Sequence, residues 1–128
     1  MIKSRGVYTP RFFCENFKGN FNILCYNIYM KSIIQDTKEC FFTGSSRNLD
    51  KHHIFFGNPD RKLSEKYGLW VWLEHERHIE MSPYRTPHND IEVDLELKKI
   101  GQLAFEVNFP ELDFIKVFGR NYLEDNYE

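Results

Sequence analysis

The chain has 128 residues, 41% of them hydrophobic and 16% aromatic, which suffices for one packed domain without disulfides or a structural metal. Its formal net charge is −2 and its pI about 6.2, which argues against a protein that coats nucleic acid by neutralising many phosphates, though not against one that grips a few. No apolar run approaches the length of a membrane span, so no partnership with a membrane is expected.

In chain order, residues 1–29 come first: they are aromatic and polar, with Gly6, Pro10 and Gly19 as breakers. Arg5, Pro10 and Arg11 interrupt the start before an apolar stretch develops, so it does not read as a secretory signal. Phe21–Tyr29 has strand-like composition, and Met30 opens a segment of different character. Residues 1–29 therefore read as an appended arm or an over-extended translation start. Beyond Lys38, two short strands are expected, Glu39–Phe42 and Leu49–Phe56, around a turn rich in Gly and Ser. A turn at 57–60 leads into a short helix, Arg61–Tyr67, that Gly68 can terminate. The bulky run 69–73 is a buried strand, and 75–81 reads as helical for about two turns until Pro83 interferes.

The most regular helical pattern follows. Val93, Leu97, Ile100, Ala104 and Val107 make one apolar stripe, with Asn89 as N-cap and Glu92 completing a capping box. Pro110 opens a second helix whose face is Leu112, Ile115 and Phe118, and Gly119 stops it. The acidic tail, 124–128, reads as frayed. Cys14, Cys25 and Cys40 include no C-x-x-C pair and cannot make a four-thiolate zinc site. A reducing, cytoplasmic setting is the expectation.

All five histidines (His52, His53, His75, His78 and His88) fall between positions 52 and 88. Imidazole serves both as a metal ligand and as a proton acceptor near neutral pH. Phosphodiester hydrolysis needs both, since a water must lose a proton while charge builds on the phosphoryl and leaving oxygens. With Asp50 and several glutamates nearby, these residues can supply a metal site. Each has a plainer reading. Neighbouring strand residues face opposite ways, so His52 and His53 serve one site only if the strand ends or bulges there. Gly57 and Pro59 make an ending credible. His75 and His78 would share a helix face, but Glu74, Glu76 and Glu80 make a solvated surface the better account of His75. Arg61, Lys62 and Lys66 alternate with Asp60 and Glu65, as in an ordinary solvated helix, and phosphate contact is their functional alternative.

Longer strings narrow the choice. HHIFFGNPDRKLSEKYGLWVWL (52–73), His78, PHND (87–90), LKKIGQLAFE (97–106) and FIKVFGRNYL (114–123) together resemble the HNH endonucleases, and more closely the small phage-encoded HNH-like proteins. The resemblance runs from about Lys38 to Leu123. It implies an α+β fold, a ββα-metal finger backed by two C-terminal helices, in a single small domain at 30–123. It also implies His52, His78 and His88 as ligands of one divalent ion (Mg²⁺, Mn²⁺, Ni²⁺ or Zn²⁺), with His53 as general base. Arg61, Lys62 and Asn58 become candidate substrate contacts. The partner would be nucleic acid, DNA before RNA, in the cytoplasm of a bacterial host carrying a phage or prophage.

Two departures matter. Cys40 is present, but Thr43, Glu74 and Arg77 stand where many relatives place zinc-binding thiolates, so no structural zinc is expected. The middle asparagine falls near Leu69, which cannot steady the base; Asn58 is the nearest substitute. The rival expectation is therefore a catalytically impaired scaffold of the same kind that binds DNA or a host protein.

Overall fold

The computed structural model describes residues 30–124; the arm 1–29, with its strand-like run, Cys14 and Cys25, and residues 125–128 of the tail lie outside them. The architecture is α+β. Strand β1 (Leu49–His53) pairs antiparallel with β2 (Trp70–Glu74), in a register that sets Leu49 opposite Glu74, His52 opposite Val71 and His53 opposite Trp70. Helix α1 (Asp60–Tyr67) connects the strands. One 3-10 turn (His75–Arg77) follows β2, then irregular chain, then the long helix α2 (Ile91–Asn108) and the short helix α3 (Phe114–Phe118).

Both faces of β2 are covered, as its unbroken apolar composition requires: Trp70, Val71 and Leu73 are buried. The core continues through Ile54, Phe55 and Leu69 to Leu97, Ala104 and Phe105 of α2 and to Phe114 and Phe118 of α3. Phe55 is its hub, with ring centroids 4.7 Å from Phe118 and 5.3 Å from Phe114. Gly101 allows this approach, since a Cβ there would lie 2.9 Å from Phe55 Cε2 and 3.1 Å from Ile54 Cγ2. The buried hydroxyl of Ser64 accepts from Phe55 N at 3.1 Å and donates to Phe55 O at 2.8 Å, fixing α1 to the chain that leaves β1. Gly68 ends α1 at φ 72°, and a side chain there would collide with the backbone oxygen of Lys31.

The expected helix Arg61–Tyr67 and strand 69–73 agree with α1 and β2 to within one residue. Other expectations need correction. Glu39–Phe42 is not a strand: Cys40 N bonds to Ser45 O and Gly44 N to Cys40 O, which curls the segment into a turn. Isolated bonds cover the open edge of β2 instead, from Phe41 N to Trp72 O and from Trp72 N to Gln35 Oε1. The strand expected to reach Phe56 ends at His53. The two turns expected at 75–81 reduce to the single 3-10 turn.

The N-cap of α2 is Asp90, whose Oδ1 accepts from Glu92 N and Val93 N, and not Asn89. Asn89 is occupied in bracing the preceding loop. Val107 is 61% exposed, so the stripe read from the sequence drifts off the core face, which runs through Leu97, Gly101, Ala104 and Phe105. The last helix begins at Phe114 with Asp113 as cap, not at Pro110, and it buries Phe114 and Phe118 while Leu112 and Ile115 stay exposed.

Candidate metal centre

Three imidazoles meet at one point. His52 comes from β1, His78 follows the 3-10 turn, and His88 lies in the loop before α2. Their ring centroids are 5.2 Å (His52–His78), 5.1 Å (His52–His88) and 4.9 Å (His78–His88) apart, and one nitrogen from each lies within 4.8 Å of the other two. His52 is buried, while His78 and His88 are partly covered. Phe56 closes one side, its ring 4.8 Å from His88 and 5.9 Å from His52.

Each ligand candidate has its own support. Strand alternation puts Asp50 and His52 on one face of β1. Asp50 Oδ2 accepts from His78 Nδ1 at 3.0 Å and from His75 Nδ1 at 2.8 Å. With its Nδ1 proton so engaged, His78 presents Nε2 as a lone pair toward the cluster, the usual arrangement behind a metal-bound histidine. Burial raises the Asp50 carboxyl, but the hydrogen bonds from His78 and His75 outweigh it and hold the group below the usual carboxylate range. His88 is held by the loop around buried Thr86, whose hydroxyl accepts from His88 N at 3.2 Å and donates to Ile79 O at 3.0 Å. Asn89 completes the loop, its Oδ1 accepting from Thr86 N at 2.8 Å and its Nδ2 donating to Tyr84 O at 3.0 Å.

The donor geometry fits a cation. His78 Nε2 and His88 Nε2 lie 3.3 Å apart. Two imidazole nitrogens bound tetrahedrally to one ion would sit ~3.4 Å apart, given metal–nitrogen bonds of about 2.05 Å. Both ring nitrogens of His52 are buried with no hydrogen-bond partner among the described residues. Burial, reinforced by the charges of His78 and His88, lowers the His52 pKa to about 2, so it is neutral. A buried neutral imidazole with no partner is costly unless something accepts its lone pair. His88 is also lowered, by burial first and then by the charge of His78, with Asp94 opposing.

His53 is not part of this cluster. It ends β1 on the opposite face, where Lys51 also lies, and both reach Glu65 of α1. His53 Nε2 donates to Glu65 Oε1 at 2.6 Å, and Lys51 Nζ donates to Glu65 Oε2 at 3.0 Å. Burial raises the Glu65 carboxyl, but the hydrogen bonds from His53 and Lys51 outweigh it and keep it below its usual range. Arg61 and Lys62 are exposed on α1, and Arg61 stands one turn before Glu65 on the same helix face. Asn58 is exposed in the turn before α1, and Leu69 is wholly buried in the core.

The sequence pattern gives no role to Glu65 or Lys98 and makes His75 a solvated surface residue. Lys98 Nζ pairs with Asp94 at 2.9 Å and lies 4.5 Å from the Phe56 ring centroid, so it brings a cation to the edge of the histidine cluster. The i, i+2 spacing of Asp50 and His52 was a usable signal for Asp50; no comparable signal existed for Glu65, which depends on how α1 folds back on β1. Comparisons of the chain with family models, curated proteins and solved structures return no match. Among the described residues, no helix is long and apolar enough to cross a membrane.

Proposed function

We propose that the protein is a metal-dependent endonuclease of the HNH type, acting on DNA in a phage or prophage setting. The observation that carries the reading is the convergence of His52, His78 and His88 around a point where buried His52 has no other partner. One candidate ligand lies on β1, one just after β2 and one at the entrance to α2, which supports an ion held between the paired strands and the long helix. An all-imidazole donor set favours Zn²⁺ or Ni²⁺ over Mn²⁺ and Mg²⁺, which prefer oxygen ligands.

A divalent ion held there would supply Lewis-acid stabilisation to the phosphoryl and leaving oxygens. Asp50 orients His78 for that ion. β1 stops at His53, so a phosphate lying across that strand end reaches both the ion and His53, which takes the proton of the attacking water on Nδ1, its Nε2 being engaged by Glu65. Arg61 and Lys62, with Asn58 beside them in the turn, contact the phosphates flanking the scissile bond. Pure protein incubated with plasmid and Mn²⁺, Ni²⁺, Zn²⁺ or Mg²⁺ is expected to nick it, and His53→Ala to slow nicking by roughly 10²- to 10⁴-fold. Equal nicking by parent and variant, or none by the parent, removes the proposal.

One observation favours a second reading. Leu69, at the position of the middle asparagine, is entirely within the core and offers no polar group to the site. A scaffold that binds DNA or a host protein without cutting would then be expected to shift DNA in a gel in the presence of metal while leaving plasmid intact.

A further inference from the structure

The side of β1 away from the histidine cluster carries its own built arrangement. Lys51 and His53 project from one face of the strand and converge on a single carboxylate, Glu65, which arrives from α1. Glu65 Oε1 accepts the hydrogen bond from His53 Nε2–H at 2.6 Å, and Lys51 Nζ lies 3.0 Å from Oε2 and 3.4 Å from Oε1. Lys51 is itself held over the Trp70 ring, 4.2 Å from the centroid, opposite His53 in the strand register. The carboxylate is thus aimed from two sides. The helix that carries it is fixed to the same strand by the Ser64 hydroxyl, one residue earlier, through both polar groups of the Phe55 backbone.

An imidazole whose Nε2–H is committed to a carboxylate has one tautomer available in its neutral form, and its lone pair is then on Nδ1. Among the described residues, His53 Nδ1 has no hydrogen-bond partner. We infer that Glu65 is the positioning residue for His53: it fixes the ring and its Nε2–H tautomer so that Nδ1 alone is left to accept a proton, with Lys51 anchoring the carboxylate. This rests on the nuclease reading for its consequence in cleavage, but not for its geometry. It also gives the ring the steadying that Leu69, buried in the core, cannot give. Glu65 touches neither metal nor phosphate in this role and acts only through His53.

Two readouts on the full chain separate the claims. Nitrogen-15 NMR of the histidine rings, in buffer at a pH where His53 is neutral, should show the His53 Nε2–H tautomer in the parent. It should show a mixture in Glu65→Ala, and the parental tautomer again in Glu65→Gln, whose amide oxygen still accepts. Plasmid nicking with Mn²⁺ should lose about 10- to 100-fold in kcat in Glu65→Ala with KM within about twofold, and recover most of it in Glu65→Gln. Mn²⁺ affinity should not move in either variant, because the three ligand histidines lie on the other face. A parent with its proton on Nδ1, or a Glu65→Ala protein that keeps both tautomer and kcat, overturns the inference. A parent that cuts nothing while its Nε2–H tautomer depends on Glu65 overturns the nuclease reading and leaves Glu65 as the residue that sets His53.

Discussion

His52 illustrates how burial alone can define a site. In the folded chain it stays neutral down to about pH 2, whereas the unfolded imidazole titrates near 6.5. Between those values the unfolded state binds a proton that the folded state refuses. Metal-free protein should therefore lose stability as pH falls through 6.5, by ~1.4 kcal/mol per pH unit from this group. His88, lowered in the same direction, adds to the slope. Urea denaturation with a chelator at pH 7 and pH 5 measures it, and His52→Leu should flatten the dependence; an unchanged slope would contradict the account. Asp50 is the second residue whose role is specific. Removing the acceptor of His78 Nδ1 by Asp50→Ala should weaken divalent-metal binding about 10- to 100-fold without unfolding the chain, as calorimetry and circular dichroism would show. The candidate ligands His52, His78 and His88 and the candidate base His53 were nameable through the resemblance to HNH-like proteins, whereas the clustering of the histidines alone pointed only to a metal site. The partners that orient them were less so: Asp50 needed only strand alternation, while Glu65 needed the packing of α1 on β1.

The elements show the same division. Segments with one strong local signal were legible: α1, stopped by Gly68, and the bulky apolar β2. Segments settled by competition were not. Glu39–Phe42 has strand composition but is curled by the bond from Gly44 N to Cys40 O, and Asn89 loses the α2 cap to Asp90 because its amide is spent on the loop that carries His88. The apolar stripe of α2 gave the helix correctly and its buried face only in part, since Gly101, silent in any hydrophobic pattern, is where α2 packs against Ile54 and Phe55 just past β1. Gly101→Ala tests that packing. The substitution gains helix propensity of about 1 kcal/mol, but its Cβ would press on the Phe55 ring at 2.9 Å and Ile54 at 3.1 Å. Overpacking of this kind costs about 1–3 kcal/mol, so the net change should be a loss or near zero, never the full propensity gain. A variant stabilised by about 1 kcal/mol in urea would show that Phe55 moves aside freely.

At the scale of the whole molecule, the fold is a small apolar core that holds polar chemistry on both faces of one strand. On one face Asp50 and His52 reach the residues that follow β2; on the other, Lys51 and His53 reach α1. The turn after Cys40 is tied to the end of β2 by a side-chain hydrogen bond, from Thr43 Oγ1 to Glu74 Oε1 at 2.9 Å. Cys40 is buried beside them in the core. The histidines lie at separate places in the chain, and it is the hairpin, the Thr86 loop and α2 together that bring them to one point. The most direct test of that convergence is calorimetric titration of the full chain with Zn²⁺ and Mn²⁺, beside His52→Ala, His78→Ala and His88→Ala. The account predicts one ion per chain in the parent, with binding lost or reduced at least tenfold in each variant by removal of one of three ligands. Binding that survives all three substitutions unchanged, or no binding by the parent at neutral pH, would contradict it.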